Sequence, residues 1–132
     1  MKIKTQFTLY LKNEAGELSK ITRKLASADI NIEGISVSAT TDVGLVQVVV
    51  SAAAKTRTLL KTDRIPFTEQ KVVLAPLRNE PGALSHIVTR ISKAGININY
   101  VYATACMCGS DCRCYAVISA PNLEKLVGLG DG

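Results

Sequence analysis

Four cysteines lie within one short segment, Cys106-Met107-Cys108-Gly109-Ser110-Asp111-Cys112-Arg113-Cys114. If residues 109–111 form the loop of a β-hairpin, Cys108 lies opposite Cys112 and Cys106 opposite Cys114, because alternate residues share one face of a strand. Four sulfurs, each about 5 Å from its neighbour, could close on a tetrahedral Zn²⁺ ion. The spacing differs from the usual zinc patterns, so cross-strand disulfides, reversible thiol chemistry and inert thiols remain open alternatives.

Residues suited to catalysis are sparse. The one histidine, His86, is predicted to lie on the polar side of a helix, where a lone histidine is usually only solvated. The sequence has no visible Ser-His-Asp or Cys-His arrangement, and no phosphate-binding G-x-x-x-x-G-K-[ST] or G-x-G-x-x-G motif. The sequence therefore predicts a protein that is not an enzyme.

The composition argues against several other classes of protein. Hydrophobic residues make up 47% of the chain and charged residues 20%, which is typical of a folded globular protein. The net charge of +5 is spread along the chain, without the basic stripe and interleaved aromatics of a nucleic-acid-binding protein. Residues 1–5 do not resemble a signal peptide, and no apolar stretch approaches the about 18 residues that a membrane span needs. We expect a cytoplasmic protein that binds neither nucleic acid nor membrane.

The chain repeats itself after 66 residues. Leu11–Ser19 aligns with Leu77–Ser85, and Ala28–Ile32 aligns with Ala94–Ile98. Between Leu11 and Ile32, 11 of 22 positions are identical to their partners. A repeat of this length is typical of two copies of a small domain. We predict module 1 at residues 1–68 and module 2 at residues 69–132.

Both copies predict the same order of elements. Residues 3–12 alternate like a strand, and the apolar residues of 18–28 fall on one face of a helix. A strand from about residue 30, a strand at 44–51, a helix from residue 53 and a strand at 70–77 follow. The order β-α-β-β-α-β predicts an α+β fold of two tandem ferredoxin-like modules, each an antiparallel sheet covered by helices on one face.

Special backbone positions support the predicted helices. Pro81 is expected at the first helical residue of the second copy. Gly95 and Asp29 are expected in the left-handed conformation that ends a helix.

The two modules are expected to share a strand but to differ at their ends. The segment 65–77 would close module 1 and continue as the first strand of module 2. A helix at 121–127 is followed by too few residues for a final strand of module 2. We therefore expect a sheet edge that is open or covered by another chain, most simply in a homodimer.

These residues resemble the ACT domain family. The resemblance rests on Asn79–Leu84 and Ala94–Ile98, and on Asn13–Leu18 and Ala28–Ile32, which lack the proline and one glycine. It covers nearly the whole chain, which is similar to small stand-alone tandem ACT proteins. The resemblance implies a non-catalytic regulatory module that binds an amino acid where modules meet, and that regulates a metabolic enzyme.

The resemblance also implies the ligand-binding residues, which are the turn asparagine, the turn glycine and the asparagine after the helix in each copy: Asn13, Gly16, Asn31, Asn79, Gly82 and Asn97. A turn glycine lets a ligand approach the backbone, and the following helix N-terminus favours a carboxylate. An asparagine can both donate and accept hydrogen bonds. The same asparagines could instead cap helices or shape turns.

Two other functions remain open. The first is a metal or thiol sensor that uses the hairpin of Cys106–Cys114, with the ACT-like modules as an assembly scaffold. The second is an interaction module that binds another enzyme through an open sheet edge.

Overall fold

The computed structural model describes residues 1–104 and 114–130. Over these residues the chain is an α+β fold of strands in antiparallel pairs and helices. The elements are β1 (Lys2–Lys12), α1 (Glu17–Ser27), β2 (Ile32–Ala39), β3 (Val43–Val50), α2 (Ala53–Thr62), β4 (Phe67–Leu77), α3 (Ala83–Lys93), β5 (Tyr100–Thr104), β6 (Cys114–Ser119) and α4 (Leu123–Val127). No helix in the described ranges is long and apolar enough to cross a membrane.

The chain divides into two compact units. The first unit is Thr5–Gln70, and the second unit is Met1–Lys4 together with Lys71–Gly132. The predicted boundary after residue 68 therefore falls inside β4, two residues from the observed division. As the sequence predicts, β4 contributes to both units.

The first unit has the element order β1-α1-β2-β3-α2-β4 and the strand order β2-β3-β1-β4. Alternate residues of β1 and β3 point to one side of the sheet, because side chains alternate along a strand. Both helices lie on that side, and their apolar residues complete a buried core. The core consists of Phe7, Leu9, Ile21, Leu25, Ile30, Val46, Val48, Val50 and Leu60.

The second unit has the strand order β5-β6-β4-β1. Its core contains residues of both helices, Ile87 and Ile91 of α3 and Leu126 of α4, against β4 and β6. The sequence predicts a missing final strand here, but the position beside β4 belongs to the start of β1. Met1 packs against this core. The chain's own first residues thus occupy the edge that we expected to be open.

The predicted helix-ending positions are confirmed. Asp29 has φ 58° and Gly95 has φ 73°, both in the left-handed region. The prediction for Pro81 is wrong, since α3 begins at Ala83. Gly82 precedes the helix with φ 89°, so the left-handed turn places Pro81 before the helix rather than in its first turn.

Candidate functional site

A cavity of about 420 Å³ lies at the turn between β4 and α3, within the second unit. This volume is in the range of about 300–1,000 Å³ that is typical of small-molecule pockets. The turn and the first two turns of α3 supply its walls. The lining residues are Pro76, Leu77, Arg78, Glu80, Pro81, Gly82, Ala83, His86, Ile87 and Arg90.

The start of α3 contributes polar backbone groups to the wall of the cavity. Gly82 has no side chain that could cap the helix, and its left-handed backbone turns the chain sharply into α3. The Ala83 N–H donates to the Glu80 carbonyl at 3.3 Å, and the His86 N–H donates to the Gly82 carbonyl at 2.9 Å. The amides of the first turn and the helix dipole make such a start favourable for an anion.

Among the described lining residues of this cavity, Arg78, His86 and Arg90 are basic and Glu80 is acidic. Arg90 is half-buried and donates from its guanidinium to the carbonyls of Leu129 and Gly130, which fixes its orientation. Arg78, His86 and Glu80 are exposed at the rim. Basic groups suit a carboxylate and Glu80 suits an ammonium group, so the cavity offers complementary charge to both ends of an amino acid.

The predicted ligand residues of the second copy only partly coincide with this cavity. Gly82 lines it, whereas Asn79 and Asn97 are not among its lining residues and are exposed. The basic lining residues were missed by the sequence analysis, which interpreted His86 as a solvated residue. The spacing of two of them could have indicated a common site, because His86 and Arg90 are four residues apart and therefore share one face of α3.

In the first copy, Asn13 has a definite structural role. Its Nδ2 donates to the Thr40 carbonyl at 3.0 Å and to the Thr41 carbonyl at 3.4 Å. Its backbone N–H donates to the Asp42 carbonyl at 3.1 Å. Asn13 therefore fastens the β2–β3 turn to the β1–α1 turn, and its side-chain oxygen stays available to accept a hydrogen bond.

Gly16 and Asn31 complete the predicted site of the first copy. Gly16 repeats the geometry of Gly82, with φ 90° directly before α1. Asn31 is exposed, and its backbone exchanges two hydrogen bonds of 2.9 Å with Ser51. A ligand role for these residues stays a prediction.

The cysteine cluster falls mainly outside the described residues, which exclude Cys106, Cys108 and Cys112. Cys114 is described: it begins β6 opposite Leu77 and is 3% exposed. Within residues 1–104 and 114–130, no group of three or more His, Cys, Asp or Glu side chains is placed to hold a metal ion. A zinc or thiol function of the cluster stays a prediction.

Two tyrosines stack on the outermost strand of the second unit. The ring centroids of Tyr100 and Tyr102 on β5 are 6.3 Å apart and nearly parallel. Burial raises the pKa of Tyr102 well above its ordinary value, and the neighbouring Tyr100 adds to the shift. The Tyr102 hydroxyl is therefore a neutral group over the physiological range.

Comparison with known proteins identifies the family. Residues 1–120 match the model of the ACT domain pair. Protein BT0572 from Bacteroides thetaiotaomicron is similar in structure, with a TM-score of 0.84, 27% identity, and coverage of 96% of this chain and 85% of that chain.

A regulatory subunit has the same fold. The ligand-free regulatory subunit of aspartate kinase from Thermus thermophilus matches with a TM-score of 0.67 and 13% identity, over 98% of this chain and 95% of that chain. No curated protein matches the sequence. The match over residues 1–120 decides the assignment, and the chain belongs to the ACT domain pair family.

Proposed function

We propose that this chain is a non-catalytic regulatory module that binds a free amino acid in the cavity at the β4–α3 turn. The observation that carries the proposal is the cavity of about 420 Å³ between the left-handed Gly82 turn and the basic residues Arg78 and Arg90. Membership of the ACT domain pair family supports a regulatory role. The similarity in fold to a regulatory subunit of aspartate kinase is consistent with it.

The chemistry of the cavity explains how an amino acid would be held. The α-carboxylate would accept hydrogen bonds at the start of α3, where the helix dipole favours negative charge. The ammonium group would face the carboxylate of Glu80. Asn79, which the family resemblance implicates, lies in the same β4–α3 turn as the cavity, whereas Asn97 follows the other end of α3.

A regulatory module must pass its bound state to a partner, which we propose to be a metabolic enzyme, with this chain acting as a homodimer. The outermost strands of the two units, β2 and β5, carry the exposed side chains of Val37 and Val101, 49% and 37% accessible. Exposed apolar side chains on outer strands are suited to pairing with another chain. A ligand that binds one arrangement better than another would shift the population of assemblies.

Thermal unfolding in the presence of each of the twenty amino acids tests the proposal. A ligand at 100 times its Kd stabilises the folded state by about 2.7 kcal/mol, so at least one amino acid should raise the melting temperature clearly. Arg78→Ala should weaken this response if the cavity is the site, whereas Asn97→Ala should weaken it if the ligand binds instead at the asparagine that the family resemblance implies. Lys93→Ala removes one charge from α3 outside the cavity and serves as control. The absence of any response to all twenty amino acids would reject the proposal.

A further inference from the structure

The 66-residue repeat places basic residues at the same three positions of both units. In the second unit these positions line the cavity, and in the first unit they surround the corresponding β1–α1 turn. The aligned pairs are Arg78 with Lys12, His86 with Lys20, and Arg90 with Lys24. The two turns therefore have the same basic frame, and they differ in the residues that neutralise it.

In the first unit, acidic residues neutralise two of the three lysines. Lys20 forms an ion pair with Glu17, with Nζ and Oε1 3.2 Å apart. Lys24 forms an ion pair with Asp63, with Nζ and Oδ2 3.0 Å apart. Both carboxylates are less exposed than the lysines they meet, at 23% and 32% against 68% and 44%. The positive charge of this turn is thus balanced within the unit.

In the second unit the neutralising carboxylates are replaced. Ala83 occupies the position of Glu17, so the charge of the helix N-terminus is not offset there. The Arg90 guanidinium meets the carbonyls of Leu129 and Gly130, which accept its hydrogen bonds but carry no net charge. Among the described residues of the lining, Glu80 is the acidic one, and its counterpart in the first unit is Glu14. Over the described residues, Arg78 and Arg90 against Glu80 therefore leave the cavity a positive excess that the first unit lacks.

We infer that the cavity of the second unit selects an acidic amino acid, and that the matching turn of the first unit does not bind one. This inference rests on the proposed function and names the class of its ligand. The α-carboxylate and ammonium group use the start of α3 and Glu80, as for any amino acid. The second carboxylate uses the positive charge of Arg78 and Arg90, whose guanidinium groups bind carboxylates well.

Isothermal titration calorimetry of the full chain with L-aspartate, L-glutamate, L-asparagine and L-glutamine tests the inference. An acidic amino acid should bind at least about tenfold more tightly than its amide, a difference of about 1.4 kcal/mol. The stoichiometry should be one per chain. Succinate and inorganic phosphate, which lack an ammonium group for Glu80, should bind more weakly than the acidic amino acids.

Two substitutions assign the binding to this cavity. Ala83→Glu copies Glu17 into the second unit and should abolish the preference for the acidic ligand; an acidic residue in a first helical turn also favours folding. Arg78→Gln should weaken acidic ligands more than amides, whereas Lys93→Gln, which removes the same charge outside the cavity, should leave both unchanged.

The outcomes separate this inference from the proposed function. Tight binding of a neutral or basic amino acid, equal binding of acid and amide, or two sites per chain would overturn the inference and leave the proposed function standing. Failure of all amino acids to bind would reject both.

Discussion

Gly82 is held in a conformation that only glycine adopts cheaply, and this makes the effect of Gly82→Ala calculable. An alanine Cβ built at this position meets no atom within 4 Å, so the substitution adds no steric clash. The remaining penalty is that of the left-handed backbone at φ 89°, about 1–2 kcal/mol for a residue with a Cβ. The reduced freedom of alanine in the unfolded chain returns about 0.4–1 kcal/mol. We expect the free energy of unfolding to fall by about 1 kcal/mol.

Urea denaturation of the variants measures this change, and thermal unfolding should show a melting temperature lower by about 4–8 °C for a unit of this size. Gly16→Ala should cost a similar amount, because Gly16 has φ 90° and equally open surroundings. Gly82→Asn should cost less than Gly82→Ala, because asparagine tolerates the left-handed region. A stabilising effect of Gly82→Ala, or a cost of more than about 3 kcal/mol, would refute the left-handed turn geometry.

Three further perturbations follow from the same structure. Leu60 is fully buried, so Leu60→Ala should lower the free energy of unfolding by about 2–5 kcal/mol in urea denaturation; Leu18→Ala, at a residue that is 39% exposed, should cost far less. Arg64 has φ 54° and so carries the left-handed penalty of a residue with a Cβ. Arg64→Gly removes that penalty, which exceeds the entropy cost of glycine in the unfolded chain, and should raise the melting temperature. Because the pKa of Tyr102 is raised in the folded state, the unfolded tyrosine ionises first, and stability should decline as pH rises above about 10. Tyr102→Phe should flatten that decline in denaturation curves recorded from about pH 9 to pH 11, and an unchanged slope would contradict the assigned burial.

The helices could be predicted closely because their signals are local. The apolar face predicted for residues 18–28 corresponds to α1 at Glu17–Ser27, and the strand predicted at 44–51 corresponds to β3 at Val43–Val50. The start of β2 was placed too early, at about residue 30. Ile30 is buried, but its N–H donates to the Leu25 carbonyl, so it still belongs to the turn that ends α1. Apolar character alone does not distinguish such a turn from a strand.

The candidate site was less predictable because its determinants are separated along the chain. Gly82 was found through a local turn motif. Arg78 precedes the turn and Arg90 lies two helical turns beyond it, so only the fold shows that both line one cavity. The loss of neutralisation is also non-local, since Lys24 and the Asp63 carboxylate that it meets are 39 positions apart in the sequence of the first unit. A repeat can reveal matched positions, but it does not reveal which of them carry opposite charges in contact.

Because β1 and β4 are each divided between the two units, the sequence did not predict the final strand of the second unit. β1 and β4 have 11 residues each, about twice the usual strand length. Residues 67–70 of β4 belong to the first unit, and residues 1–4 belong to the second. These two segments are 66 residues apart, which is the period of the repeat. Each unit is therefore closed by the same part of the repeat, but for the second unit that part lies at the beginning of the chain. A linear division after residue 68 separates residues 1–4 from the core against which Met1 packs, so the units of sequence and the units of structure cannot coincide.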